Sequence, residues 1–264
     1  AGLTAAARMM KQYGDTKKAK RFEREARSFF GAIERSLAHV QQTSGFDSIP
    51  ASPYRRMDAG AIGSLAGSYP LLLMNPDNSA VANTVDFLIE NCFVKGGFFQ
   101  DMTHSGINQY LTLHIAQVLL RRGDKRYRDL IRSMAECASP TGQWPEAIHP
   151  ITGGGCMGDG QHLWAAAEWV MMIRNLFIRE ESDELLLCSG VFPEWLESGQ
   201  DLACGPSLTR YGAVRVSLQK KGKEVRVSWS FDRFPADGAA RLCLPGYAHQ
   251  TIRDTEGETV LSEG

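Results

Sequence analysis

Amphipathic helices in this chain are joined by connections that alternate between short and long, and that alternation restricts how the helices can be arranged. The short connections are polar and alike: Tyr13-Gly14-Asp15-Thr16-Lys17, Asn75-Pro76-Asp77-Asn78-Ser79 and Arg122-Gly123-Asp124-Lys125. The long ones, Ser44 to Asp58, Val94 to Gly106 and Ser139 to Gly160, are rich in glycine, aromatic and titratable residues. In a ring of antiparallel helix pairs, alternate connections fall at opposite ends. The three long loops then converge on one face, where a binding or catalytic site belongs.

Apolar spacing gives the elements. Leu3 to Tyr13 reads as a short helix. Thr16 to about Val40 is the clearest one, with Phe22, Ala26, Phe29, Phe30, Ile33, Leu37 and Val40 at steps of three and four. Asp58 to about Met74 is rich in glycine and alanine, which suits close packing and weakens continuous helix. Ser79 is placed as the N-cap of a helix with Val81, Val85, Leu88 and Ile89. Helices follow over Ile107 to Arg121 and from Asp124 to Cys137, and Asp159 to about Arg179 is apolar enough to be a central, well-buried one. From Leu185 the period changes. Leu185 to Cys188 reads as a strand and Pro193 to Leu196 as a helical turn. Val214, Val216 and Leu218 lead through a Lys220-Lys221-Gly222-Lys223 turn to Val225, Val227 and Trp229, and Ala239 to Leu244 forms a further strand. The expected architecture is mainly α: an incomplete helical-hairpin toroid over residues 1–184, with hairpins roughly 50 residues apart, then a small antiparallel β unit over residues 185–264.

Composition narrows the partners. A formal net charge of -1 offers no basic field for nucleic acid or an anionic membrane. No apolar run approaches the ~18 residues of a membrane span. Six widely scattered cysteines have no metal-type spacing, and as free thiols they suit a reducing, cytoplasmic compartment. No cofactor is expected.

Two places carry a resemblance. One is Gly142-Gln143-Trp144-Pro145-Glu146-Ala147-Ile148-His149-Pro150, followed by Thr152-Gly153-Gly154-Gly155 and Gly158-Asp159-Gly160-Gln161-His162-Leu163-Trp164-Ala165. The other runs from Phe192-Pro193 through Leu208-Thr209-Arg210-Tyr211-Gly212 to Leu244-Pro245-Gly246. Together they resemble the six-hairpin glycosidases, the (α/α)6-toroid group that includes glucoamylase-like and α-L-rhamnosidase-like enzymes, and the tail looks like the β-sandwich that closes the latter. Glucoamylase-like enzymes have Gln after the corresponding Glu, where Ala147 stands here. Rhamnosidase-like ones have Trp directly before it, where Pro145 intervenes. The resemblance implies a glycoside hydrolase acting on an oligo- or polysaccharide, with further hairpins preceding residue 1 in the same polypeptide.

Glycoside hydrolysis needs two carboxyl groups across the scissile bond. Glu146, on the longest loop beside Trp144, is the expected base, and Trp144 the expected stacking platform. Asp101 is the expected acid; Asp58 is either a helix cap or a site residue. Arg55 and Arg56 could hold a carboxylate or sugar hydroxyls. His104, His149, His162 and Trp164 complete the expected sugar contacts, the histidines lacking metal-motif spacing. An inverting mechanism, with carboxyls roughly 6.5–9.5 Å apart, follows the resemblance. The glycine run is no nucleotide loop, since no strand precedes it and no Gly-Lys-Ser/Thr follows. Three alternatives stay open: a polysaccharide lyase using Tyr54 with Arg55, or Tyr110 with Asn108 and His104; a phosphorylase; and a non-catalytic carbohydrate-binding or structural helical module.

Overall fold

The computed structural model describes every residue except Phe46, Thr103, His104, Asp159, Ser182, Asp183, residues 235–238, Glu263 and Gly264. The chain divides into two compact units, Ala1–His162 and Leu163–Gly264. The helix expected to close a toroid over residues 1–184 therefore belongs with the strands that follow it.

In the first unit, α1 (Gly2–Gln12) and α2 (Thr16–Ser44) form a hairpin. Asp15 caps α2, its carboxylate accepting from Lys18 N at 2.9 Å, and Gly45 ends it in the left-handed region. The Gly-rich stretch becomes a 3-10 helix, Ala59–Gly67. The helix α3 (Ser79–Asn91) is capped by Asn78 rather than Ser79, the Asn78 side chain accepting from Val81 N. The helices α4 (Gln109–Arg121) and α5 (Tyr127–Glu136) follow.

Helix α4 is the core of this unit. It is buried at every position except Leu111 and His114. Its polar residues are spent on the end of the 3-10 segment: His114 Nε2–H donates to Tyr69 O, Gln117 Nε2 to Tyr69 Oη at 3.2 Å, and Arg121 to Ser68 Oγ at 3.0 Å. Those bonds let a helix carrying His, Gln and Arg sit among apolar neighbours.

The expected mainly-α toroid is overturned. Helix accounts for 42% of residues and strand for 24%, arranged in three sheets. The reason lies in the long connections, which form ladders of their own. β1 (Phe93–Val94), β2 (Gly97–Gln100), β3 (Gly106–Ile107), β4 (Ala147–Ile148) and β5 (Gly155–Met157) pair in that order as one antiparallel sheet. Strands this short carry too little alternation to register as period two. Close approach does require glycine at Gly106, where a Cβ would come within 2.8 Å of Ala147 Cβ and 2.9 Å of Cys156 Sγ.

The second unit opens with α6 (Leu163–Phe177), expected to be a central buried helix. It buries Ala165, Met172, Asn175, Leu176 and Phe177 but leaves Leu163 83%, Trp164 55% and Val170 64% exposed. β6 (Ile178–Glu180) and β7 (Glu184–Leu187) follow, then a short helix α7 (Pro193–Glu197). β8 (Leu202–Thr209), β9 (Gly212–Lys221) and β10 (Glu224–Phe231) come next, with β11 (Ala239–Leu242), β12 (Gln250–Ile252) and β13 (Glu256–Ser262) last. One sheet, β13-β10-β9-β8, is antiparallel and contains the expected hairpin, turned at Gly222-Lys223 with Lys221 opposite Glu224. Val214, Val216, Leu218, Val225 and Val227 are buried, each contributing about 1.5–3 kcal/mol. The other sheet, β12-β11-β7-β6, is mixed, because β11 runs parallel to β7; the β unit is therefore not purely antiparallel as expected.

Candidate functional site

Glu146 immediately precedes β4 and is half-buried. Its carbonyl accepts from Asn108 Nδ2 at 2.9 Å. Extending the β4–β5 register sets Gly158 opposite it. Gly158 has φ +71°, and a Cβ there would lie 2.9 Å from Glu146 Cβ and 3.4 Å from its Oε2. Tyr110, the second residue of α4, is buried, and burial, followed by the negative charge of Glu146, pushes its phenol upward. The His162 ring packs on Tyr110 with centroids 5.2 Å apart, and His162 N donates to Trp144 O at 2.9 Å. Glu146, Asn108, Tyr110, Gly158 and His162 thus form one group, held by a sheet, a helix start and the close of the longest loop.

Trp144 is only 5% exposed, and its indole N–H donates to Met134 O at 2.8 Å. A stacking platform needs a free ring face, and this ring is packed into the core at the end of α5. His149 shapes the β4–β5 turn: its Nδ1 accepts from Ile151 N and Thr152 N, each at 3.2 Å, which puts the ring proton on Nε2. Trp164, in the second unit, is exposed as the second residue of α6. His104 and Asp159 lie outside the described residues.

Asp58, Arg55 and Asp101 belong to a second group. Asp58 caps the 3-10 helix, accepting from Gly60 N at 2.9 Å, while its other oxygen accepts from Arg55 Nε at 2.6 Å. Arg55 Nη2 also reaches Met102 Sδ at 2.8 Å. Burial pushes the Cys92 thiol up, and the charges of Asp101 and Asp58 push it further. Arg56 is exposed.

Asp101 directly follows β2 and Glu146 directly precedes β4, so the strand β3 lies between the two strands they flank.

Asn108 and Tyr110 enter the sequence argument only through the lyase alternative. A local signal for Asn108 exists and misleads. Asn directly before a helix predicts an N-cap, yet Asn108 makes no side-chain cap bond, and its Nδ2 donates to Glu146 O.

Two apolar grooves, of about 590 and 330 Å³, run along α2. They are lined by Phe30, Ile33, Leu73 and their neighbours, and neither includes Glu146. No cluster of histidine, cysteine and carboxylate residues suited to a metal ion occurs among the described residues, and all six cysteines are free. No described helix is long and apolar enough to cross a membrane.

No protein-family model matches the chain, and no curated protein matches it. Among solved structures it is similar to one named "Glycosidase F290Y", with a TM-score of 0.42 and 17% identity, over 55% of this chain and 44% of that one. This chain therefore spans less than half of that protein's length. A likeness so loose bears on the fold alone and carries no argument about chemistry.

Proposed function

We propose that this chain is a glycoside hydrolase in which Glu146 is the general base. One observation carries the reading. Glu146 is not an exposed loop carboxylate: it is half-buried, its peptide held by Asn108 and its side chain against Gly158, beside Tyr110 and His162. A base that removes a proton from an attacking water has to be held in one place, and Glu146 is held at its peptide by Asn108 and packed at its side chain by Gly158. The resemblance of the Trp144-to-Ala165 segment to glycosidases supports the substrate class. In an inverting reaction the Glu146 carboxylate takes the proton of water as its oxygen bonds the anomeric carbon, while an acid protonates the departing glycosidic oxygen. Asp101, directly after β2, is the acid this reading pairs with Glu146.

The lyase alternative fares worse. A tyrosine base needs its phenol pulled down toward neutrality, and Tyr110 is pushed up by burial and by Glu146. Glu146→Gln tests the proposal directly. It is expected to abolish glycoside turnover by at least about 100-fold while sugar binding by calorimetry is kept. Unchanged turnover in Glu146→Gln would sink it.

A further inference from the structure

Asn108 is fully buried at the junction of both long loops that build the sheet. Its N–H donates to Phe98 O at 2.9 Å, tying it to β2. Its carbonyl accepts from Thr112 N at 3.0 Å and from Thr112 Oγ1 at 2.8 Å, tying it to the first turn of α4. The same Thr112 oxygen accepts from Phe98 N at 2.9 Å, which closes the loop of bonds. With its main chain fixed on both sides, the one free part of Asn108 is its amide, and that amide donates to Glu146 O.

We propose that Asn108 is a positioning residue for Glu146. The inference rests on the reading of Glu146 as the reacting carboxylate. The geometry supports a two-sided clamp: Asn108 holds the Glu146 peptide from the α4 side, and the Gly158 backbone closes against the side chain from the β5 side. The Asn108 side chain makes no cap bond to its own helix, and its Nδ2 reaches across 38 residues of sequence to Glu146 O. A tertiary bond at the main chain of the candidate base is what holding that base requires. Without the Asn108 amide the Glu146 peptide loses its fixed donor, and the carboxylate is free to swing away from Tyr110.

Asn108→Ala tests this with two readouts. The first is the titration of the Tyr110 phenol, followed by NMR of ring-labelled tyrosine and assigned with Tyr110→Phe. Glu146 contributes to its upward shift, so Glu146→Gln brings it down toward the ordinary range, and Asn108→Ala is expected to move it in the same direction. The second is kinetic: kcat falls about 10- to 100-fold with KM within about twofold. Asn108→Ser, which fills more of the space, serves if the alanine variant does not fold. A lower melting temperature with Tyr110 titrating as in the wild type, and with kcat retained, would overturn the inference, because Asn108 would then be packing alone. If Tyr110 moves but the unaltered protein cleaves no glycoside, the positioning role stands and the hydrolase reading fails.

Discussion

Replacing Gly158 by alanine isolates how tightly Glu146 is held, because the chain contains its own control. Gly158 and Gly153 share φ +71°, so alanine at either carries the same left-handed strain, about 1–2 kcal/mol. They differ in their surroundings. A Cβ at 153 meets nothing within 4 Å, whereas one at 158 lies 2.9 Å from Glu146 Cβ. Ordinary contact needs roughly half an ångström more, and Glu146 cannot yield it easily, because Asn108 holds its peptide. Forcing an extra methyl into a packed site costs about 1–3 kcal/mol. Gly153→Ala is therefore expected to lose about 1–2 kcal/mol and Gly158→Ala about 2–5 kcal/mol. Urea unfolding of the two variants beside the wild type measures the difference. Turnover gives a second comparison, with Gly158→Ala impaired and Gly153→Ala close to wild type. Equal losses, within about 0.5 kcal/mol, would refute the reasoning, since Glu146 would then be yielding freely to the added methyl.

Two further predictions concern pH. Burial holds His114 below the ordinary histidine range, partly offset by its bond to Tyr69 O, so the unfolded chain takes up a proton that the folded one refuses. Stability is fully present above the unfolded value near 6.5 and falls as pH drops through it; His114→Gln should flatten that slope in urea titrations between pH 7 and 5. Glu168 in α6 is the opposite case, a carboxyl pushed up to about 7 by burial. Its folded value exceeds the unfolded one, so its stabilising contribution is present below about 4.5 and is lost as pH rises through about 7. Glu168→Gln should remove this dependence and leave the variant more stable than the wild type at pH 8; a variant no more stable there would contradict it.

The sequence by itself determined the elements whose periods are long enough to read. The steps of three and four from Phe22 to Val40 gave α2, and the alternation Val214, Val216, Leu218 and Val225, Val227 gave the β9–β10 hairpin. Both are local periodicities of apolar side chains, so neither needs knowledge of the rest of the chain. It also picked out the segment around Glu146. Tertiary structure decided what that segment does. Whether Trp144 stacks on a ligand or fills the core depends on Met134 O, a group ten residues away. Whether Asn108 caps its helix or holds Glu146 depends on a strand 38 residues away. Pairings of two or three residues, such as Ile107 with Ile148, leave no period to detect, yet the sheet they build sets Gly158 opposite Glu146. Which of the apolar helices is central was equally invisible. α6 was the one expected to be central, yet it keeps Leu163, Trp164 and Val170 exposed, while α4 is buried at every position except Leu111 and His114. Apolar content fixes what a helix can bury; neighbours supplied by distant sequence fix what it does bury.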